Sequence, residues 1–195
     1  MQQLAPVYVF HTGVLGAFET NPIVFDGVMY LTTAYDGVFA IDARSGKLLW
    51  KRAPLTGTFR HCCGPVNRGV ALAGDLVLIG QLDGNVVALD RKSGLPKWRA
   101  RVADNAQGYS ITMAPVVYRD SVIVGLAGGD LGIRGAMLAA SLRDGKVRWR
   151  WFAGERQDMI DGASLGWKQQ FDRLETYLRA EETRPRLPRN VHASL

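Results

Sequence analysis

Short apolar runs alternate with polar turns along most of the chain, and the same order of runs occurs three times, over residues 22–50, 70–98 and 115–149. Each unit has two apolar runs, then a polar turn containing glycine, and closes on a tryptophan. The closing tryptophans are Trp50, Trp98 and Trp149. They are 48 and 51 residues apart, which is the spacing typical of β-propeller blades.

Each unit predicts four short β-strands rather than helices, because the apolar residues come in short runs bounded by turn residues. Asp36-Gly37 and Asp83-Gly84 follow apolar runs and have the composition of hairpin turns, in which glycine supplies positive φ. We therefore predict an all-β fold, a partial β-propeller of about three four-stranded blades over residues 1–152.

Three blades cannot close a ring, because propellers have about four to eight. The outer faces of the first and last blades are then expected to stay open, with unpaired edges. Either further blades complete the ring, or copies of the chain self-associate through the open blade faces, or the chain is unstable alone.

Beyond the repeats we predict a linker and a C-terminal amphipathic α-helix within residues 153–182, and a disordered tail over 183–195. Ser164 is the expected N-cap, and Glu175 and Arg179 form an i, i+4 pair. The helix resembles the closing helix of small helix-grip domains, which leaves a fused ligand-binding end as an alternative. Its apolar stripe consists of Trp167, Phe171, Leu174 and Leu178.

The charge of the chain narrows the classes of binding partner that we expect. The chain has 24 lysine and arginine residues against 18 acidic ones, for a formal net charge of +6. The basic residues are scattered in ones and twos, so we predict no nucleic-acid partner. No apolar run reaches the roughly 18 residues of a membrane span. The first residues lack a secretory signal, so we expect a soluble, unprocessed chain or an internal piece of a longer one.

The two cysteines are adjacent, at Cys62 and Cys63. In a reducing compartment they would be free thiols in a loop, which the spacing alone favours. The alternative is a vicinal disulfide, a strained bond because neighbouring Cα atoms lie only about 3.8 Å apart. The residues around the pair favour the disulfide.

Four motifs occur in a fixed order. Cys62-Cys63 is followed by Val-Asn-Arg-Gly-Val-Ala at 66–71, and the others are Phe-Glu-Thr-Asn-Pro at 18–22, Ser-Ile-Thr-Met-Ala-Pro at 110–115 and Gly-Gly-Asp-Leu-Gly-Ile-Arg-Gly at 128–135. Over about residues 4–152 the chain resembles the quinoprotein alcohol and methanol dehydrogenases. These use pyrroloquinoline quinone (PQQ) and a metal ion on an eight-bladed propeller.

The resemblance implies that Cys62 and Cys63 form a disulfide lid over the quinone, and that Glu19 and Arg68 contact its carboxylates and carbonyls. The arginine fork suits planar carboxylates chemically. Without the resemblance, Glu19 would be interpreted as an exposed turn residue and Arg68 as a strand-end ion-pair partner.

Further cofactor contacts are implied for Thr112, Ala127, Gly128 and Gly129. A threonine in a strand or a glycine in a turn is also common in any propeller. Some family members have serine where Ala127 stands. Asp130 stands at the position of the glutamate that ligates Ca²⁺ or a lanthanide, and the shorter side chain predicts a weaker metal site.

The resemblance implies the N-terminal part of a PQQ-dependent alcohol dehydrogenase, which oxidises primary alcohols by metal-assisted hydride transfer. It also implies a periplasmic location and a cytochrome c electron acceptor. The family's catalytic base comes from blades beyond this chain, so we expect no catalytic residue here and no activity from the chain alone. The alternative is a non-catalytic propeller scaffold, in which the tryptophan repeats would need no quinone lid.

Overall fold

The computed structural model describes residues 5–61 and 63–153, together with 175, 176 and 179. Twelve strands in this part form three separate four-stranded antiparallel sheets, each paired in chain order. The predicted all-β partial propeller of three blades is therefore confirmed.

The strand bounds follow the three sequence repeats. Blade 1 consists of β1 (Ile23–Phe25), β2 (Val28–Thr32), β3 (Val38–Asp42) and β4 (Leu48–Arg52). Blade 2 consists of β5 (Ala71–Ala73), β6 (Leu76–Gly80), β7 (Asn85–Asp90) and β8 (Pro96–Arg101). Blade 3 consists of β9 (Val116–Tyr118), β10 (Ser121–Leu126), β11 (Ala136–Ser141) and β12 (Val147–Phe152). Three 3₁₀ turns lie between strands, at Ala34–Asp36, Asn105–Gln107 and Gly129–Leu131.

Buried apolar side chains fill both interfaces between successive blades. The cluster between blades 1 and 2 includes Tyr30, Val38, Ile79 and Val87. The cluster between blades 2 and 3 includes Leu78, Val86, Val124 and Leu138. Alternate residues of each blade thus face opposite neighbours, as the period of a β-strand requires.

Two of the closing tryptophans connect their blade to the next one. Trp50 Nε1 donates a hydrogen bond to the Arg91 carbonyl oxygen at 2.9 Å, and Trp98 Nε1 donates to the Leu142 carbonyl oxygen at 2.8 Å. A Cβ atom on Gly94 would lie 2.5 Å from the Trp50 ring, so this turn requires glycine. The repeat therefore encodes contacts between blades as well as strands within them.

The N-terminal segment occupies the corresponding position on the other side of blade 1. Tyr8 Oη donates to the Ala43 carbonyl oxygen at 3.0 Å, at the repeat position that the tryptophans use. A Cβ atom on Gly46 would lie 2.5 Å from the Tyr8 ring. Phe10 meets Phe39 edge to face, with 5.8 Å between ring centroids. This face, predicted to be open, is thus partly covered by the chain itself.

One predicted hairpin turn is wrong in its details. Gly37 has φ −63°, whereas Tyr35 and Asp36 have φ 58° and 63°. Glycine is needed here for space, because a Cβ atom on Gly37 would collide with Thr33 Oγ1 and lie 3.1 Å from Pro54. The left-handed conformation of Asp36 accompanies a carboxyl group that is buried rather than exposed in a turn.

The chain divides into two compact units, Met1–Phe152 and Ala153–Leu195. In the second unit Glu175, Thr176 and Arg179 are described, all three helical, and Arg179 Nη2 lies 2.7 Å from Glu175 Oε1. The rest of the predicted linker and helix, beyond Ala153, and the tail over 183–195 lie outside the described residues. Among those that are described, no helix is long and apolar enough to cross a membrane.

Candidate functional site

The predicted site residues other than the two cysteines lie at one edge of the blades. Because neighbouring strands are antiparallel, the first strand of a blade begins at the edge where its second strand ends. Glu19 precedes β1, Arg68 precedes β5, Thr112 precedes β9, and residues 127–130 follow β10.

Arg68 connects segments that precede the first strands of all three blades. Its Nη2 atom lies 2.9 Å from Glu19 Oε2, and its Nη1 atom donates to Thr112 Oγ1 at 2.8 Å. Its backbone N–H donates to the Thr112 carbonyl oxygen, and its own carbonyl accepts from Asn21 N–H. The structure thus brings together three residues that the sequence assigned to one site.

The exposure of this cluster indicates that stability alone does not explain it. The side chains of Arg68 and Glu19 are 40% and 41% exposed, and ion pairs that exposed contribute about 0–1 kcal/mol. A guanidinium group carries five N–H donors, so donors remain for a ligand. Thr112 Oγ1 accepts from Arg68 and keeps its own O–H to donate.

Beneath this cluster lies a buried polar network that the sequence analysis missed. Asn67 Nδ2 donates to Asp36 Oδ1 and to the Gly80 carbonyl oxygen, each at 2.8 Å, while Asn67 Oδ1 accepts from Gly69 N–H at 3.0 Å. Asp36 Oδ2 accepts from Leu82 N–H at 2.7 Å. Asn67 stands inside the Val-Asn-Arg-Gly motif, so its place beside Arg68 was the available signal.

Burial raises the pKa of Asp36 from its ordinary value of 3.8 to about 7. Removing the carboxylate from water is the main cause, and the nearby charge of Asp83 adds to it. The hydrogen bonds from Leu82 and Asn67 act in the opposite direction and do not outweigh burial. Near neutral pH this carboxyl group therefore changes its protonation state inside the protein.

The loop with the cysteines is held at two points. Tyr35 N–H donates to the Pro65 carbonyl oxygen at 2.8 Å. Asn105, also missed from the sequence, accepts from Arg60 N–H at 3.0 Å and donates back to the Arg60 carbonyl at 2.7 Å. Cys63 is exposed, and Cys62 lies outside the described residues, so the disulfide stays a prediction.

The loop after β10 reaches the same region through backbone bonds. Ala127 and Ser110 exchange two hydrogen bonds, of 2.8 and 3.1 Å, two residues before Thr112. Gly128 has φ 139°, and a Cβ atom there would collide with Ile133, so internal packing alone requires this glycine. A Cβ atom on Gly129 would meet nothing within 4 Å, which leaves space beside its backbone.

Asp130 is exposed in the 3₁₀ turn that follows. No group of three or more His, Cys, Asp and Glu residues able to hold a metal ion occurs in the described ranges. Asp130 can offer one or two carboxylate oxygen atoms, whereas Ca²⁺ takes about six to eight oxygen ligands. The residues that the structure describes do not by themselves form a metal site.

Blades joined at an arginine-centred cluster define an incomplete β-propeller with a candidate site for an anionic ligand. The chain belongs to the PQQ family of glucose/ethanol/alcohol dehydrogenase β-propeller domains, which matches residues 1–176.

Curated relatives and a solved structure agree with this family. The quinoprotein alcohol dehydrogenase PedH of Pseudomonas putida is 43% identical over 152 residues, covering 76% of this chain and 26% of the relative. Methanol dehydrogenase subunit 1 of Paracoccus denitrificans is 38% identical over 164 residues, covering 78% and 26%. A europium-containing methanol dehydrogenase superimposes with a TM-score of 0.71 at 33% identity, covering 78% and 28%. The chain therefore spans about a quarter of the length of these proteins.

Proposed function

We propose that the three blades supply part of the PQQ site of a quinoprotein alcohol dehydrogenase, in which primary alcohols are oxidised by hydride transfer to the quinone. The observation that carries the proposal is the convergence of Glu19, Arg68 and Thr112, which the family resemblance assigns to the cofactor. When bound, PQQ supplies the quinone that accepts the hydride.

The donor set suits a planar tricarboxylate. Arg68 offers a fork of N–H donors that matches a carboxylate, and Glu19 and Thr112 fix the direction of that fork. The Thr112 hydroxyl donates to a ligand oxygen, and the space beside Gly129 lets a flat ring approach the backbone. In this proposal Cys62 and Cys63 form the disulfide that covers the ring, and Ala127 and Gly128 line it.

The metal is the part of the proposal that needs further ligands. Asp130 supplies one carboxylate to Ca²⁺ or a lanthanide, with a shorter reach than glutamate. No group of three or more His, Cys, Asp and Glu residues that could complete the site occurs in the described ranges. We propose that further blades supply these ligands and the catalytic base, and that the chain alone does not oxidise alcohols.

The setting of the reaction follows from the same family. Two of the relatives are methanol dehydrogenase subunits whose names include cytochrome c. We propose a cytochrome c as electron acceptor and the periplasm as location, where a disulfide between Cys62 and Cys63 is able to form.

Titration of the full chain with PQQ, followed by calorimetry or absorbance, tests the proposal. Arg68→Ala should weaken binding at least about 10-fold, because a charge-assisted hydrogen bond contributes about 1.5–3 kcal/mol. Arg68→Lys keeps the charge but loses the fork, so its affinity should be intermediate.

A matched control separates the site from net charge. Arg148→Ala removes an arginine of β12 that pairs with Asp120, away from the contacts of Arg68. This variant should bind PQQ like the wild type. Unchanged binding by Arg68→Ala, or an equal loss in both variants, contradicts the proposed role. Absence of PQQ binding by the wild type would favour the propeller scaffold instead.

A further inference from the structure

The buried carboxyl group of Asp36 lies in blade 1, yet its two oxygen atoms accept hydrogen bonds from the segment before β5 and from the β6–β7 turn. We infer that Asp36 is a positioning residue, which holds Arg68 in its ligand-binding orientation by fixing the side-chain amide of Asn67. This inference rests on the proposed quinone site, and it adds a residue that the family motifs of the chain do not include.

The connection from Asp36 to Arg68 runs through short bonds. Asp36 accepts from Asn67 Nδ2 at 2.8 Å, and Asn67 Oδ1 accepts from Gly69 N–H at 3.0 Å. The main-chain carbonyl oxygen of Asn67 also accepts a hydrogen bond from Thr32 Oγ1 at 3.1 Å. Arg68 lies between Asn67 and Gly69, so its backbone is fixed on both sides.

A side chain with two oxygen atoms that can each accept a hydrogen bond is what this position requires. The two groups that face Asp36 are both donors, Leu82 N–H and Asn67 Nδ2. An asparagine at position 36 would have to turn its own N–H₂ group towards one of them. The acceptors Asp36 and Gly80 also prevent Asn67 from rotating its amide, because its oxygen would then face two oxygen atoms.

This arrangement is unfavourable in free energy, and packing alone gives no reason for keeping it. Asp36 is 2% exposed, and burying a carboxylate is unfavourable unless it is fully paired. Asp36 and Tyr35 also have φ 63° and 58°, a conformation that costs about 1–3 kcal/mol for residues other than glycine. Such costs are typical of residues that fix a functional site.

The first test measures amide exchange in the chain without ligand. In Asp36→Asn, the Gly69 N–H should exchange at least about 10-fold faster, because its acceptor Asn67 is no longer held. The Leu78 N–H in the middle of β6 should keep its protection. Asp120→Asn is the matched control, since Asp120 pairs with Arg148 in blade 3 and is not among the groups that bond Asp36 or Asn67. Unchanged exchange at Gly69 in Asp36→Asn overturns the inference.

The second test is a double-mutant cycle on PQQ affinity. Asp36→Asn should weaken binding several-fold in the wild type and leave it unchanged in Arg68→Ala, because its effect passes through Arg68. Additive losses would mean a merely structural role and overturn the inference. If the wild type binds no PQQ, the proposed function fails, and amide exchange at Gly69 alone decides the role of Asp36.

A second substitution of Asp36 keeps the inference testable where Asp36→Asn does not fold. Asp36→Gly also removes the carboxyl group, and glycine adopts the left-handed conformation at this position without strain. It should show the same faster exchange at Gly69. Slow exchange in Asp36→Gly would contradict the inference even where Asp36→Asn does not fold.

Discussion

Replacing Asn105 by alanine should loosen the loop that carries the cysteines while lowering the stability of blade 2 only moderately. Asn105 Nδ2 donates to the carbonyl oxygens of Leu82 and Tyr109, each at 2.8 Å, as well as to that of Arg60. Its Oδ1 accepts from Arg60 N–H. One side chain thus connects the cysteine loop to the β6–β7 turn and to the segment before β9.

The magnitude follows from the environment of each bond. The bonds to Leu82 and Tyr109 are partly buried and contribute about 1 kcal/mol each, whereas the two bonds to Arg60 are exposed and contribute about 0.5 kcal/mol each. Nδ2 has two hydrogens for three acceptors, so the total lies below the sum. We expect the free energy of unfolding to fall by about 2 kcal/mol in Asn105→Ala. The Arg60 N–H should lose its protection from exchange in addition.

Urea unfolding and amide exchange measure the two effects separately. Asn105→Asp is the informative comparison, because it keeps the acceptor for Arg60 N–H but turns a carboxylate oxygen towards three carbonyl oxygens. It should therefore be less stable than Asn105→Ala. Asn85→Ala changes the same residue type outside this set of bonds and should shift stability by less than about 0.5 kcal/mol. The reasoning fails if Asn105→Asp is as stable as the wild type, or if Arg60 stays protected in Asn105→Ala.

Two further predictions concern the edge of blade 1 and the buried acid. Tyr8 fills a position that tryptophan fills on the next two blades. In urea unfolding, Tyr8→Trp should therefore keep near wild-type stability, whereas Tyr8→Ala should lose about 2 kcal/mol of unfolding free energy. Equal losses in both variants would contradict this equivalence. The raised pKa of Asp36, about 7 against 3.8 in the unfolded chain, means that the folded chain binds more protons between these values. Its free energy of unfolding should therefore fall as the pH rises from about 4 to about 7, and a slope of the same size in Asp36→Asn would refute this assignment.

The blades were predictable because each repeat contains the residues that make its contacts with the neighbouring repeat. Trp50, Trp98 and Trp149 end their units at spacings of 48 and 51 residues. The glycine that Trp50 and Trp98 each need lies in the next unit. Chain order and short turns then leave little choice in how the strands pair. The sequence could not indicate that Tyr8 replaces a tryptophan, because that contact depends on where the first segment folds back.

The grouping of Glu19, Arg68 and Thr112 was predictable from the sequence, and the residues that support this group were not. Arg68 and Thr112 were found by motif, because the family resemblance assigns both of them to the proposed cofactor site. Asp36 and Asn105 were missed because acidic and amide residues next to glycine or alanine usually indicate exposed turns. Their partners are backbone groups of other blades, and no spacing along the sequence reveals such partners.

The three residues Asn67, Arg68 and Gly69 of the Val-Asn-Arg-Gly motif make different contacts that depend on one another. Asn67 is buried and donates to Asp36 of blade 1, whereas the Arg68 side chain is 40% exposed. Gly69 has φ 129°, and Asn21 O lies only 3.0 Å from where its Cβ would be. Arg68 in turn takes its partners from the segments that precede blades 1 and 3. The geometry of the arginine fork is therefore set by how three blades pack on one another. A change that shifts one blade relative to its neighbour should lower ligand affinity even where it leaves every ligand-facing residue intact.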